Sequence, residues 1–454
     1  MKLLMKYMKT LKYTSALLLL IGFSSCEKVL HVDPRSSISD QQTITDKGSS
    51  ETAIRAVYDA ARGYYGTSFQ SIAYLSGDNV QWTGSQSQVQ EFINHKVNPE
   101  NSTISGVWNG IYSTINRANH VISKVPALTD QLLTTALKDQ ITGEAYFIRA
   151  LAYFDLARTW GGAPIITKPT LAATDNRGIA KSTQLEVFGQ ALADLETAET
   201  LLPLTTDRFR ATRKTVWALK SRYYLYQKNW VKAEEFADKI ISDATNYELL
   251  APYNSFFFPE NKRGTRESIF EFYYSSNETN GHRGQWQPQA NGGTRQWAPN
   301  DAFVALVNNP EIGGTRSALV AKDNQNRWFG NLYYRSPGTD PTYVIRIAEL
   351  YLIRAEARAQ QGGSKLAGAV TDLNAVRTRS ALQSTPAQSQ ADILLAIENE
   401  RRFEFAFEAH RWFDLVRTGR AAAVLNVTDP NRLLMPIPID QIQADKVLIQ
   451  NPGY

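Results

Sequence analysis

Glu400, Glu404 and Glu408 recur at i, i+4 and i+8 in a stretch without proline or glycine, Glu398 to Thr418, so on a helix they share one face. Paired carboxylates are the working groups of glycoside hydrolysis, in which one acid protonates the leaving oxygen and the other attacks or activates water. The same stretch supplies arginines, with Arg401 three residues from Glu404 and Arg411 three residues from Glu408. Carboxylates flanked in this way are predicted to be consumed in ion pairs. Glu349 and Glu356, set among Arg346, Arg354 and Arg358, are read the same way. The histidines (His31, His95, His120, His282 and His410) show no metal-ligand spacing, and His410 reads as a core residue. No His-Glu-x-x-His, Gly-x-Ser-x-Gly or P-loop pattern occurs. Cys26 is the only cysteine, which excludes internal disulfides and multi-thiolate metal sites. No cofactor is predicted, and a calcium ion leaves no readable signature.

Binding chemistry is better represented. Three tryptophans sit in polar, turn-rich segments: Trp82 beside Asp78, Asn79 and Gln81; Trp286 beside Arg283, Gln285 and Gln287; Trp297 beside Arg295, Gln296 and Asn300. A saccharide offers flat C–H faces to an aromatic ring and a rim of hydroxyls to amides, carboxylates and guanidinium groups. The predicted ligand-binding set is therefore Trp82, Asp78, Asn79, Trp286, Arg295 and Trp297. Trp108, Trp160, Trp217, Trp230 and Trp412 fall in or beside helical patterns and are assigned to the core, while Trp328 is left unassigned. Arg263, Arg266, Arg283 and Arg295 would suit an acidic glycan.

These residues need elements to hold them. Residues 398–418, closed by Gly419, read as one helix with Phe403, Phe407, His410 and Asp414 on one face and Phe405, Ala409, Trp412 and Val416 on another, hence a buried helix. Helical spacing also runs from Glu51, through 108–118, 141–160 and 185–202. Residues 212–245 form a helical pair turning at Lys228-Asn229, with Ser221, Tyr224 and Ala233 near tetratricopeptide positions; residues 342–381 form another, turning at Gly362-Gly363-Ser364. Residues 64–101 read as loop with short elements. Residues 251–341 read as a long irregular lobe with a short strand at 268–274 and helix near 300–307. Pro436, Pro438 and Pro452 predict an extended C-terminal arm. The predicted fold is mostly α, a tetratricopeptide-like helical scaffold with a long irregular, loop-rich ligand-binding lobe.

Residues 1–25 read as a bacterial export signal: four lysines, an apolar run from Ala16 to Phe23, then Ser24-Ser25 before Cys26. Cleavage there would leave Cys26 as a lipidated N-terminus, anchoring the chain to a membrane through several acyl chains. Residues 26–50 follow as a lipidated tether, and 51–250 and 251–454 as two parts of one structural unit. Four of the 49 basic residues and none of the 44 acidic ones lie within 1–25, so the remainder carries +1. That balance argues against nucleic acid as a partner.

The segment Glu-Arg-Arg-x-Glu-Phe-x-Phe-Glu-x-His-Arg-Trp-Phe-Asp-Leu-Val-Arg, residues 400–417, resembles the signature of the SusD/RagB family of nutrient-uptake outer-membrane lipoproteins, with Ala409 where that family usually has Gly. Residues 144–164 resemble its Glu-Ala-x-Phe-x-Arg-Ala-x-x-Tyr-Phe-Asp-Leu helix and Gly-x-x-Pro exit, residues 343–357 also resemble it, and 434–454 add Pro-Ile-Pro and Gln-Asn-Pro-Gly-Tyr. The resemblance implies a lipid-anchored protein at the outer membrane, facing the cell exterior. It would capture oligosaccharide on aromatic loops and pass it to a SusC-like TonB-dependent transporter, without covalent chemistry. A lipid-anchored glycoside hydrolase and a lipoprotein scaffold binding only protein partners are the alternatives.

Overall fold

Asp46 starts the first helix. Its carboxylate accepts from Ser49 N at 2.7 Å and Ser49 Oγ accepts from Asp46 N at 3.0 Å, a reciprocal cap that opens α1 (Lys47–Tyr65) four residues before the predicted Glu51. The computed structural model describes residues 43–172, 174–258 and 263–454. The export signal, Cys26 and residues 26–42 of the tether lie outside the described residues, and residues 47–50 of the predicted tether belong to α1.

After α1 come α2 (Thr67–Leu75), β1 (Val80–Trp82) and α3 (Ser87–Ile93), the short elements foreseen between 64 and 101. Long helices then follow: α4 (Ser102–Lys124), α5 (Thr135–Trp160), α6 (Gln184–Leu201), α7 (Arg213–Tyr226) and α8 (Trp230–Ile241). Their ends follow local chemistry. Asn101 accepts from Thr103 N to cap α4, Thr183 and Glu186 cap α6 reciprocally, and Gly161, at φ 74°, ends α5. Each of α1, α4, α5, α6, α7 and α8 packs on a neighbour in this series, α1 directly against α4. Small residues let the helices approach; Ser221 on α7 donates its hydroxyl to Ala233 O on α8 at 2.9 Å.

The lobe carries β2 (Ser268–Phe272), α9 (His282–Trp286), β3 (Trp297–Pro299), α10 (Asp301–Val307, capped by Asn300), β4 (Val320–Lys322), β5 (Trp328–Gly330) and β6 (Thr342–Arg346). The strands form three antiparallel two-stranded pairs, β1 with β3, β2 with β6 and β4 with β5. The scaffold resumes with α11 (Ile347–Gln361), α12 (Lys365–Arg379) and α13 (Gln390–Glu404). Helix α11 packs on α8, α12 and α13, around a buried apolar core including Leu352, Leu373, Val376, Ile393 and Ile397. Burying each such side chain contributes about 1.5–3 kcal/mol. Then come α14 (Arg411–Arg417), α15 (Ala421–Leu425) and α16 (Ile439–Ala444), making sixteen α-helices among the described residues. The mostly α, tetratricopeptide-like scaffold with an irregular lobe is what the structure has.

Four expectations need correction. Residues 398–418 are two helices, because the chain leaves α13 after Glu404 and re-enters helix at Arg411. The break turns backbone carbonyls toward distant donors: Glu404 O accepts from Tyr253 Oη and Arg346 Nη2, each at 2.9 Å. The predicted Arg401–Glu404 and Glu408–Arg411 pairs are replaced by long-range ones: Arg401 with Asp414 and Arg411 with Asp78, both at 2.7 Å. The C-terminal arm contains α16 directly after Pro438, since proline's fixed φ and missing N–H suit the start of a helix as well as they prevent its continuation. Trp108, Trp160 and Trp412 are core residues as read, whereas Trp217 and Trp230 are only partly buried.

Candidate binding site

The carboxylates that suggested acid–base chemistry are bound by arginines. Arg346, fully buried on β6, reaches Glu267 at 2.7 Å, Glu404 at 2.8 Å and Glu408 at 2.6 Å. Arg316 takes Glu404 at 2.9 Å and also pairs with Glu400, and Arg379 joins Glu267 at 3.0 Å and Glu404. Burial pushes the Glu404 carboxyl up, but the three guanidinium groups around it outweigh that and hold it below the usual range. On Glu408, with Arg346 as its cation, burial prevails and the carboxyl is raised. His410 is kept neutral by burial and by Arg222, Arg401, Arg158 and Arg346 nearby; its Nδ1 lies 3.4 Å from Arg401 Nη2. Glu349 is held two-pronged by Arg222 at 2.7 and 2.5 Å. Among the described residues, no three His, Cys, Asp or Glu side chains converge as metal ligands.

A different environment lies at Trp82. The register of β1 with β3 sets Trp82 opposite Trp297, and partners directly opposite in an antiparallel pair project to the same face. The two indoles border a hollow of about 270 Å³ whose other walls are the start of α2 (Thr67, Ser68), the Gln86–Gln88 turn into α3, and Gln285 and Gln296 from the lobe. None of its lining side chains is charged. Trp82 lies against Gly84, where a Cβ would stand 2.2 Å from the ring, so only glycine lets the indole take this position. Thr83 clamps the strand by donating its backbone N–H to Gln296 O at 2.9 Å and its hydroxyl to Arg295 O at 2.5 Å.

The polar groups here are uncommitted. The side-chain amides of Gln285 and Gln296 have no hydrogen-bond partner among the described residues, and neither does the Trp82 indole N–H. Gln88 Oε1 accepts from Ser102 N and Oγ at 3.0 and 2.6 Å, leaving its amide hydrogens unclaimed. A partly exposed indole, several amides and serine and threonine hydroxyls around an uncharged hollow can stack a C–H face and share hydrogen bonds with hydroxyls.

Of the rest of the predicted set, only Trp297 reaches the hollow. Trp286 is wholly buried and Trp297 is 5% exposed, so neither is the open platform expected from its polar neighbours. Both belong to an aromatic cluster with Tyr74, 5.2 Å from Trp297, and Phe407, 4.4 Å from Trp286. Asp78 and Asn79 are structural ties. Asp78 accepts from Arg411 at 2.7 Å and pairs with Arg402 at 3.2 Å, while Asn79 both donates to Arg402 O and accepts from Arg402 Nε. Burial raises the Asp78 carboxyl, but Arg411 and Arg402 together bring it below its ordinary value. Arg295 directs its Nε to Trp328 O at 2.8 Å, bracing the β4–β5 hairpin rather than lining the hollow. Sequence reading missed Thr67, Ser68, Gln86 and Gln88; the glutamine-rich run directly after Trp82 was the signal available.

Residues 30–225 match the family described as "Starch-binding associating with outer membrane", and residues 330–431 match the SusD family. A SusD-like protein of Formosa agariphila is 28% identical, spanning 99% of this chain and 100% of its own length. The starch-binding protein SusD of Bacteroides thetaiotaomicron is 24% identical, over 99% of each chain. A laminarin-binding SusD-like protein of known structure superposes with a TM-score of 0.79 at 26% identity, covering 90% of this chain and 100% of that one. The surface glycan-binding protein A of Bacteroides fluxus shares the fold, with a TM-score of 0.76 at 22% identity over 90% of this chain and 100% of its own.

Proposed function

The chain belongs to the SusD/RagB family, and we propose that it captures an oligosaccharide in the hollow at Trp82 and releases it unaltered to a SusC-like TonB-dependent transporter at the outer membrane. The observation that carries this reading is the set of unpaired amides around a partly exposed indole, bordering a hollow with no charge in its lining. A pyranose ring would lay its C–H face on Trp82, and Gln285, Gln296 and the hydroxyls of α2 would take its hydroxyl groups. Without charge in the lining, recognition at this hollow favours neutral sugar units. Starch and laminarin, named for two of the relatives, are both neutral glucans and define the first ligands to try. Lipidation at Cys26 would hold the protein at the membrane, and no covalent step is part of the cycle.

Calorimetry of the purified protein against a panel of polysaccharides tests this. Trp82→Ala should weaken binding about tenfold, as truncation of an aromatic anchor does, while leaving the unfolding midpoint close to wild type. Binding that survives this change in full would remove the hollow from consideration. A protein that binds none of the panel yet co-purifies with an outer-membrane barrel would favour the scaffold reading.

A further inference from the structure

A second aromatic surface shares no lining residue with the Trp82 hollow. It is a groove of about 600 Å³, within the range of small-molecule sites, between the outer face of α1 and the end of β2. Every residue of β2 is buried, yet Tyr273, the next in the chain, turns outward and is 44% exposed. Phe209 meets it edge-on with ring centroids 5.5 Å apart, and the Arg263 guanidinium stands 4.8 Å from the Tyr273 ring.

This pair is held rigidly. Phe209 N and Arg210 N both donate to Asp207 Oδ1, at 2.8 and 3.0 Å, and Arg208 O accepts from Glu271 N on β2 at 2.8 Å. Gly264, at φ 60°, makes room for the Phe209 ring, since a Cβ there would stand 2.9 Å from it. The tyrosine backbone is fixed too, with Tyr273 O accepting from Arg62 Nη1 at 3.3 Å. A large aromatic left exposed on so constrained a frame gives up little freedom on binding.

The opposite wall brings charge. Thr52, Arg55, Ala56 and Asp59 succeed one another on the outer face of α1, and small Ala56 opens the floor between the longer side chains. Arg62 is satisfied by Asp59 and Glu278, and Arg210 by Glu144. Arg55 differs. It is exposed, its guanidinium donates only to Thr52 Oγ1 at 2.9 Å, and it has no carboxylate partner among the described residues.

We infer that this groove is a second saccharide site, one that takes a unit bearing a carboxylate or sulfate, with the sugar face on Tyr273 and the anionic group at Arg55. It rests on the reading of the protein as a glycan-capture subunit and extends it: the hollow at Trp82 takes neutral units and the groove takes acidic ones, so one long chain of mixed composition engages both. Two sites on one polymer raise avidity without new contacts at either.

The experiment is calorimetry of the purified protein with a uronate-bearing or sulfated oligosaccharide and with a neutral one, on wild type, Trp82→Ala, Tyr273→Ala and Arg55→Gln. Tyr273→Ala should weaken the acidic ligand about tenfold and leave the neutral one unchanged. Arg55→Gln, on an exposed helix face and so without consequence for folding, should weaken the acidic ligand about threefold at low salt, with the difference vanishing at high salt. Trp82→Ala should show the reverse selectivity. Equal affinity of wild type, Tyr273→Ala and Arg55→Gln for the acidic ligand would overturn the groove while leaving the Trp82 hollow standing. Loss of acidic binding in Tyr273→Ala, with Trp82→Ala unchanged for both ligands, would do the opposite. Wild type binding neither class would overturn the groove and the capture reading together.

Discussion

The ionic core around Arg346 and the hollow at Trp82 are both rich in polar groups, and they use them in opposite ways. In the core, Glu267, Glu400, Glu404 and Glu408 are each met by at least one buried guanidinium, and the partners come from β6, α12 and the segment before β4. At the hollow, the amides of Gln285 and Gln296 and the Trp82 N–H meet nothing. Paired charge here holds the molecule together, and neutral hydrogen-bonding groups left unmet where they border an open hollow can receive something. The carboxylate ladder that first looked like hydrolytic machinery lies on the wrong side of that division.

The contrast can be broken most severely at Arg346. Arg346→Met strips a cation from three carboxylates and should destabilise the fold by about 3–5 kcal/mol in denaturant titration, a large share of a typical domain's stability. Trp286→Ala should come next, costing about 3–5 kcal/mol because it empties a cavity between Tyr74 and Phe407; its sugar affinity, measured on whatever fraction stays folded, would fall only with stability. A milder change sharpens the other side. Gln285→Ala should weaken saccharide binding about threefold and leave the thermal midpoint within a degree or two, because no protein partner is lost.

The smallest effect concerns pH. Burial pushes the Glu271 carboxyl up to about 7 against an ordinary value of 4.5. The folded state then binds more protons than the unfolded one between those two values, so this group's contribution to stability declines as pH rises from about 4.5 to 7 and stays low above. Glu271→Gln should accordingly leave the midpoint unchanged near pH 4.5 and raise it by a few degrees at pH 8, read by thermal scans at both.

Most of the scaffold was legible because helical periodicity is local. The pair 212–245, the pair predicted at 342–381 from Ile347 onward (its first five residues are strand β6), the Gly161 stop and the Asn300 start all depend on residues within one or two turns. What escaped was set by distance along the chain. The interruption at Phe405 depends on Tyr253 and Arg346, and the pairing of Arg411 with Asp78 spans 333 residues. At the candidate site, Trp82 was readable from its polar company, but the same company misled at Trp286. Arg283 and Gln285 stay partly exposed there, while Gln287 and the indole turn inward, the indole between Phe407 and Tyr74. Local composition reports the environment of a backbone segment, and it does not say which side chain of the segment turns in.

The unwound turn between α13 and α14 makes residues 400–417 a poor candidate for transplantation. Grafted alone into another helical protein, the segment would arrive without Arg316, Arg346 and Arg379 to meet its glutamates and without Asp78 to meet Arg411. Its carboxylates would then have to dissolve outward or take up protons. The part of the chain most readily recognised in isolation is thus the part least able to stand in isolation, and its inheritance requires that of its remote partners.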